Sequence, residues 1–117
     1  MENKKNILLI EDDFAIGKWL ENRILELETI KSLRWEMSST DGLNSIYQNI
    51  PDIIILDLKL PDGSGIEVLK KIRKDKITSK VFVFSVNSEL KKICLRYGAD
   101  MFFDKSVDSE KLIESLK

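Results

Sequence analysis

Two unbroken apolar runs, IIIL at 53–56 and VFVF at 81–84, restrict this chain more than any other feature. Neither has a polar face, so a strand built from either is covered on both sides. Such strands belong to a mainly parallel sheet lying between two layers of helices, because an antiparallel sheet with one wet face alternates apolar and polar residues. Strand-like runs recur along the chain as NILLI at 6–10, RWEMS at 34–38, DIIIL at 52–56, KVFVFS at 80–85 and MFF at 101–103. Between them apolar residues return at helical intervals: Ile16, Leu20, Ile24 and Leu27; Ile66, Leu69 and Ile72; Leu90, Ile93, Cys94 and Tyr97; Leu112, Ile113 and Leu116. LNSIYQN at 43–49 is a shorter helical stretch of the same kind. Alternation of this sort implies right-handed crossovers, and the fold class expected is an open, doubly wound α/β sheet. Gly98 is placed to end the helix before it, and Asp108 to cap the one that follows.

Composition narrows the chemistry. A chain of 117 residues is one domain, 1–117, large enough to bury a core without disulfides or a structural metal. A net charge of −1 argues against a nucleic-acid surface, and no apolar run approaches the roughly 18 residues of a membrane span. The polar start MENKKN lacks the apolar core of a signal peptide, and the single Cys94, expected in the core, cannot form an internal disulfide. A reducing, cytoplasmic setting is expected. Histidine is absent, which removes His-based zinc sites, Ser-His-Asp triads, Cys-His pairs and histidine general bases together.

Carboxylates, hydroxyls, lysine and the backbone remain. In an open α/β sheet ligands bind beyond the carboxyl ends of the strands. There the sequence places Glu11, Asp12 and Asp13 after the first strand, Asp57 after the third, Ser85 at the end of the fourth, and Asp104 and Lys105 at the end of the fifth. Taken singly, each has an ordinary reading: acids at a helix start, a turn aspartate, a strand-end hydroxyl, a solvated lysine. Their joint placement at one sheet edge is what the ordinary readings leave unexplained. Carboxylates crowded together repel unless a cation joins them, and an all-oxygen set at a wet edge suits Mg²⁺. A carboxylate beside such an ion is a nucleophile for phosphorus, with Ser85 and Lys105 as donors to the phosphoryl oxygens.

At these residues the chain resembles the receiver domain of two-component response regulators, over nearly its whole length. The stretches that carry the resemblance are ILLIEDD at 7–13, PDIIILDLKLPDGSG at 51–65, VFVFSV at 81–86 and YGADMFFDKS at 97–106. It implies a flavodoxin-like, five-stranded parallel sheet in the order 2-1-3-4-5 with five helices. It also implies Asp57 as phosphoacceptor and Mg²⁺ ligand, Asp12 as a direct ligand, Glu11 acting through water, and Lys59 offering its backbone carbonyl. Ser85 matches the switch hydroxyl, Phe102 the rotating aromatic and Lys105 the site lysine, while Asp13 is left as a helix-start acid. Ser106 departs from the family's proline, often preceded by a cis peptide, Val86 from its small residue and Met101 from a common acid; Lys59 and Asn87 occupy variable flanking positions.

The function implied is a phosphorylation-dependent signalling switch. A histidine kinase or histidine phosphotransfer protein donates a phosphoryl group to Asp57, and the donor lies elsewhere because this chain has no histidine. Ser85 and Phe102 then alter the surface of the fourth helix, fifth strand and last helix, open to a downstream effector or a second copy. Neither nucleic acid nor membrane is an expected partner of this domain. The alternative is a receiver-like adaptor that takes no phosphate and works by binding alone. An aspartyl phosphatase would want an acid where Lys59 stands, and a flavin module a phosphate-cradling loop where EDDF stands. No effector-like segment follows the last helical stripe, which leaves a free-standing regulator and a piece of a longer protein both open.

Overall fold

In the computed structural model the described residues are 3–117, so the first two residues of the MENKKN start lie outside them. Five strands form one parallel sheet: β1 (Lys5–Ile10), β2 (Ile30–Glu36), β3 (Ile53–Leu56), β4 (Lys80–Ser85) and β5 (Met101–Asp104). Their spatial order is β2-β1-β3-β4-β5, the flavodoxin-like arrangement. The helices are α1 (Phe14–Leu25), α2 (Ser39–Gln48), α3 (Gly65–Lys74), α4 (Lys91–Arg96, led by a 3₁₀ turn at Ser88–Leu90) and α5 (Ser109–Ser115). After β3 the chain makes a small antiparallel ladder, Lys59–Leu60 against Gly63–Ser64, before entering α3.

Successive side chains of a strand point to opposite faces, and here each face has its own core. Leu8, Ile10, Ile54, Leu56, Val81 and Val83 pack under α2, α3 and α4. Ile7, Leu9, Ile53, Ile55, Phe82, Phe84 and Phe103 pack under α1 and α5. This two-sided burial is why β3 and β4 carry no polar alternation. Cys94 is buried in the first core, and burial pushes its thiol pKa up.

Several boundaries differ from the expectation. β2 runs over 30–36 rather than 34–38. It is an edge strand with mostly half-buried side chains, so IKSLRWE shows no continuous apolar run, and its position is fixed by register with β1, Ile7 opposite Leu33 and Ile10 opposite Glu36. α2 begins at Ser39, earlier than 43, because Ser38 accepts from the Asp41 N–H at 3.1 Å and Asp62 caps the same end from across a loop. Leu27 lies past the end of α1 but still packs on the second core. Gly98, at φ 105°, closes α4 as expected: its N–H donates to Leu95 O and that of Ala99 to Cys94 O, the paired bonds of a Schellman end. Asp108 holds the N-cap position of α5, but its carboxylate accepts from the Asp104 N–H at 3.0 Å rather than from the helix.

Candidate functional site

Parallel register places the acids. Ile10 lies opposite Leu56, and the Asp57 N–H donates to Ile10 O at 3.0 Å, so the residues that follow each strand emerge side by side. On the other flank Ser85 lies opposite Asp104, and the Lys105 N–H donates to Ser85 O at 3.0 Å. β1, β3, β4 and β5 thus deliver Glu11, Asp57, Ser85 and Lys105 to one edge of the sheet.

Carboxylate oxygens of Glu11, Asp12 and Asp57 all lie within 4.8 Å of one another. Glu11 and Asp57 are buried, at 1% and 5% exposure, while Asp12 is exposed. Lys105 reaches over them, its Nζ 2.8 Å from Glu11 Oε1, 3.0 Å from Glu11 Oε2 and 3.2 Å from Asp57 Oδ2. Only the Oε2 contact is a directed hydrogen bond; Oε1 is a buried oxygen held by charge alone. Burial, above all, pushes the Glu11 carboxyl up to about 7; Lys105 pulls it back and the Asp57 charge adds to the rise. Asp12 is raised too, first by partial burial of its carboxyl and then by the charge on Asp57. For Lys105 burial works against the ammonium, but the bond to Glu11 and the Asp57 charge outweigh it and the net shift is upward. Three carboxylates face one ammonium, so the cluster is short of positive charge.

The cluster opens to solvent through a cleft of about 320 Å³ lined by Asp12, Asp57, Lys59, Pro61, Val86, Asn87 and Lys105 among others. The Lys59 N–H lies 3.4 Å from Asp57 Oδ1. Val86, although it lines the cleft, is 64% exposed and turns outward. Ser85 is where the sequence put it but does not line the cleft: its buried Oγ accepts from the Asn87 N–H at 3.0 Å. Phe102 is half-buried, packed against the first core beside Val83 rather than at the acids. Asp13 is a helix-start acid, as expected, accepting from the Ile16 N–H at 3.0 Å as N-cap of α1. Ser106 bonds back to Asp104 through both its N–H, at 2.8 Å, and its hydroxyl, at 2.6 Å, and every described peptide bond is trans.

Sequence reasoning missed two residues that shape this edge. Gly65 lets the start of α3 approach the end of β3, since a Cβ there would sit 2.1 Å from the Asp57 carbonyl oxygen. Trp35 donates its indole N–H to the Glu11 carbonyl at 2.9 Å. Glycine in GSG before a helix was a readable signal for the first; a lone tryptophan in an edge strand carries none for the second.

Residues 7–117 match the response regulator receiver domain family. The chain belongs to that family. Relatives of the receiver family include the response regulator ArlR of Staphylococcus aureus, 33% identical over 113 residues, which cover 95% of this chain and 50% of the relative. The chain spans about half the length of the curated relatives it matches. Among solved structures it is similar to the receiver domain of the Francisella response regulator 1452, with 26% identity and a TM-score of 0.88 over 97% of this chain and 93% of that one. It is also similar to a CheY-like receiver domain protein from Methanospirillum hungatei JF-1, with 28% identity and a TM-score of 0.84 over 97% and 90%. Among the described residues no helix is long and apolar enough to cross a membrane.

Proposed function

We propose that residues 1–117 form one receiver domain acting as a phosphorylation-dependent switch in the cytoplasm, with Asp57 accepting a phosphoryl group from a phosphohistidine on a histidine kinase or histidine phosphotransfer protein. The observation that carries this reading is the buried Asp57, clustered with Glu11 and Asp12, ion-paired with Lys105 and opening on a cleft. In the transfer an Asp57 oxygen bonds to phosphorus as the phosphorus–nitrogen bond breaks. The electron pair returns to the donor imidazole, which takes its proton from solvent. Lys105, 3.2 Å from Asp57 Oδ2, is in place to follow the new charge onto a phosphoryl oxygen.

The donor set fits Mg²⁺: all oxygen, deficient in positive charge, and including a buried Glu11 oxygen with no directed hydrogen bond. Asp12, Asp57 and the Lys59 carbonyl would hold the ion, with Glu11 acting through water. When bound it would offset charge on the reacting oxygens. Ser85 must release the Asn87 N–H to reach the phosphate, and Phe102, packed beside Val83, is in place to move with it. Both changes bear on α4, β5 and α5, the face we assign to an effector or a second copy. Hydrolysis of the acyl phosphate resets the switch.

Incubation with acetyl phosphate and magnesium chloride, read by intact mass, tests the proposal. Gain of one phosphoryl group in the wild type and none in Asp57→Ala is the expected result. No gain in the wild type, or an equal gain in the variant, refutes it, and the first outcome favours an adaptor that works by binding alone.

A further inference from the structure

Glu11 is the first residue past β1, and both of its peptide groups are held by the neighbouring edge strand. Its N–H donates to Glu36 O at 3.0 Å and its carbonyl accepts the Trp35 indole N–H at 2.9 Å. The second bond depends on space made by α1. The Trp35 ring lies over Gly17, where a Cβ would be 1.9 Å from Cζ2, and is flanked by Phe14 at 5.6 Å between ring centroids. The indole is thus wedged between a glycine and an aromatic of the helix that the acidic turn leads into. Its one polar atom is spent on the residue that starts that turn. Glu11 in turn accepts from the Asp13 N–H through Oε2 at 3.2 Å, so a fixed Glu11 peptide also fixes where the turn goes.

We infer that Trp35 is a positioning residue for the acidic turn at 11–13, holding Glu11 so that little ordering is left for cation binding. The inference rests on the proposed function for the part of its test that uses magnesium. Releasing the carbonyl frees the turn, and ordering it then opposes ion binding by about the worth of one neutral hydrogen bond, roughly fivefold in affinity. Ion-saturated reactivity is affected less, because the bound ion restores the turn.

Trp35→Phe removes the N–H and keeps an aromatic ring over Gly17. Amide exchange in magnesium-free buffer is expected to quicken about fivefold at Glu11 and Asp13 while Leu8 and Leu9 stay unchanged. Magnesium affinity by calorimetry is expected to fall about fivefold, with the labelling rate at saturating magnesium changed less than about twofold. Unchanged exchange at Glu11 and Asp13 overturns the inference, as does an unchanged affinity in the variant. Silence of the wild type toward magnesium overturns the proposed function instead, and the exchange data still decide the role of Trp35. If Trp35→Phe does not fold, the wild type decides the matter: in magnesium-free buffer its Trp35 indole N–H is expected to exchange slowly, and the Glu11 and Asp13 amides to slow by less than about twofold when magnesium binds. Fast exchange of the indole N–H without magnesium, or slowing of those amides by more than about fivefold on binding, overturns the inference.

Discussion

Arg73 is the side chain whose loss should be felt most outside the hydrophobic core. From the last turn of α3 its guanidinium donates to Gly98 O at 3.1 and 2.9 Å, to Ile77 O at 2.7 Å, to Ser79 O at 2.9 Å and to Asp100 Oδ2 at 3.2 Å. It ties α3 to the segment leading into β4 and to the turn between α4 and β5. Arg73→Met keeps most of the stem and removes every donor. Ile77 and Ser79 are 7% and 5% exposed, so their carbonyls find little water; at roughly 1.5 kcal/mol for each charge-assisted bond they account for about 3 kcal/mol. Gly98 is less enclosed and the Asp100 pair is near the surface, adding up to about 1 kcal/mol together. A loss of about 3 to 4 kcal/mol is large against the roughly 5 to 15 kcal/mol that stabilises a domain. Urea unfolding followed by circular dichroism should show the midpoint falling with the slope unchanged. Arg73→Lys, which keeps the charge without the fork, should lose about half as much. A loss below about 1 kcal/mol in Arg73→Met, or a lysine variant equal to the wild type, refutes the reasoning.

Two further outcomes follow from the loops. Asp62 receives the Ser39 N–H and both the N–H and hydroxyl of Thr40, with the Thr40 hydroxyl bond the chief cause holding its carboxyl well below the usual aspartate range. A depressed folded pKa stabilises above the unfolded value, near 3.8, and the gain is lost as pH falls through the depressed one. Asp62→Ala should therefore lower the urea midpoint by a constant amount from neutral pH to about 5, and the gap should narrow only below about 4; a gap that narrows near neutrality contradicts this. Lys76 holds φ 60° after α3, a conformation glycine adopts without strain, so Lys76→Gly should stabilise by roughly 0.5 to 1 kcal/mol in the same assay. A lowered midpoint would show that the left-handed turn is not strained there.

Much of the fold was legible because burial on both faces leaves its mark in the chain. IIIL and VFVF announced central parallel strands, and the helical stripes announced two covering layers. Edge strand β2 was misplaced for the converse reason: half-buried residues need no apolar run, and pairing with β1 set its limits. At the site, Glu11, Asp12, Asp57 and Lys105 were readable because strand ends in a parallel sheet share an edge. Ser85 was located but not its orientation, because a bond to a neighbouring N–H two residues on depends on the path of the loop. Trp35 was not readable at all.

The sequence alone determined which residues stand at strand ends and which faces are apolar, since side-chain period and composition are local properties. Tertiary structure decided distances and partners: that Lys105 bridges Glu11 and Asp57, that Asp62 caps a helix starting 23 residues before it, and that Trp35 meets Glu11 across a space left by Gly17. Those contacts join residues far apart along the chain. Only the register of strands and the packing of helices on them fix where such residues meet.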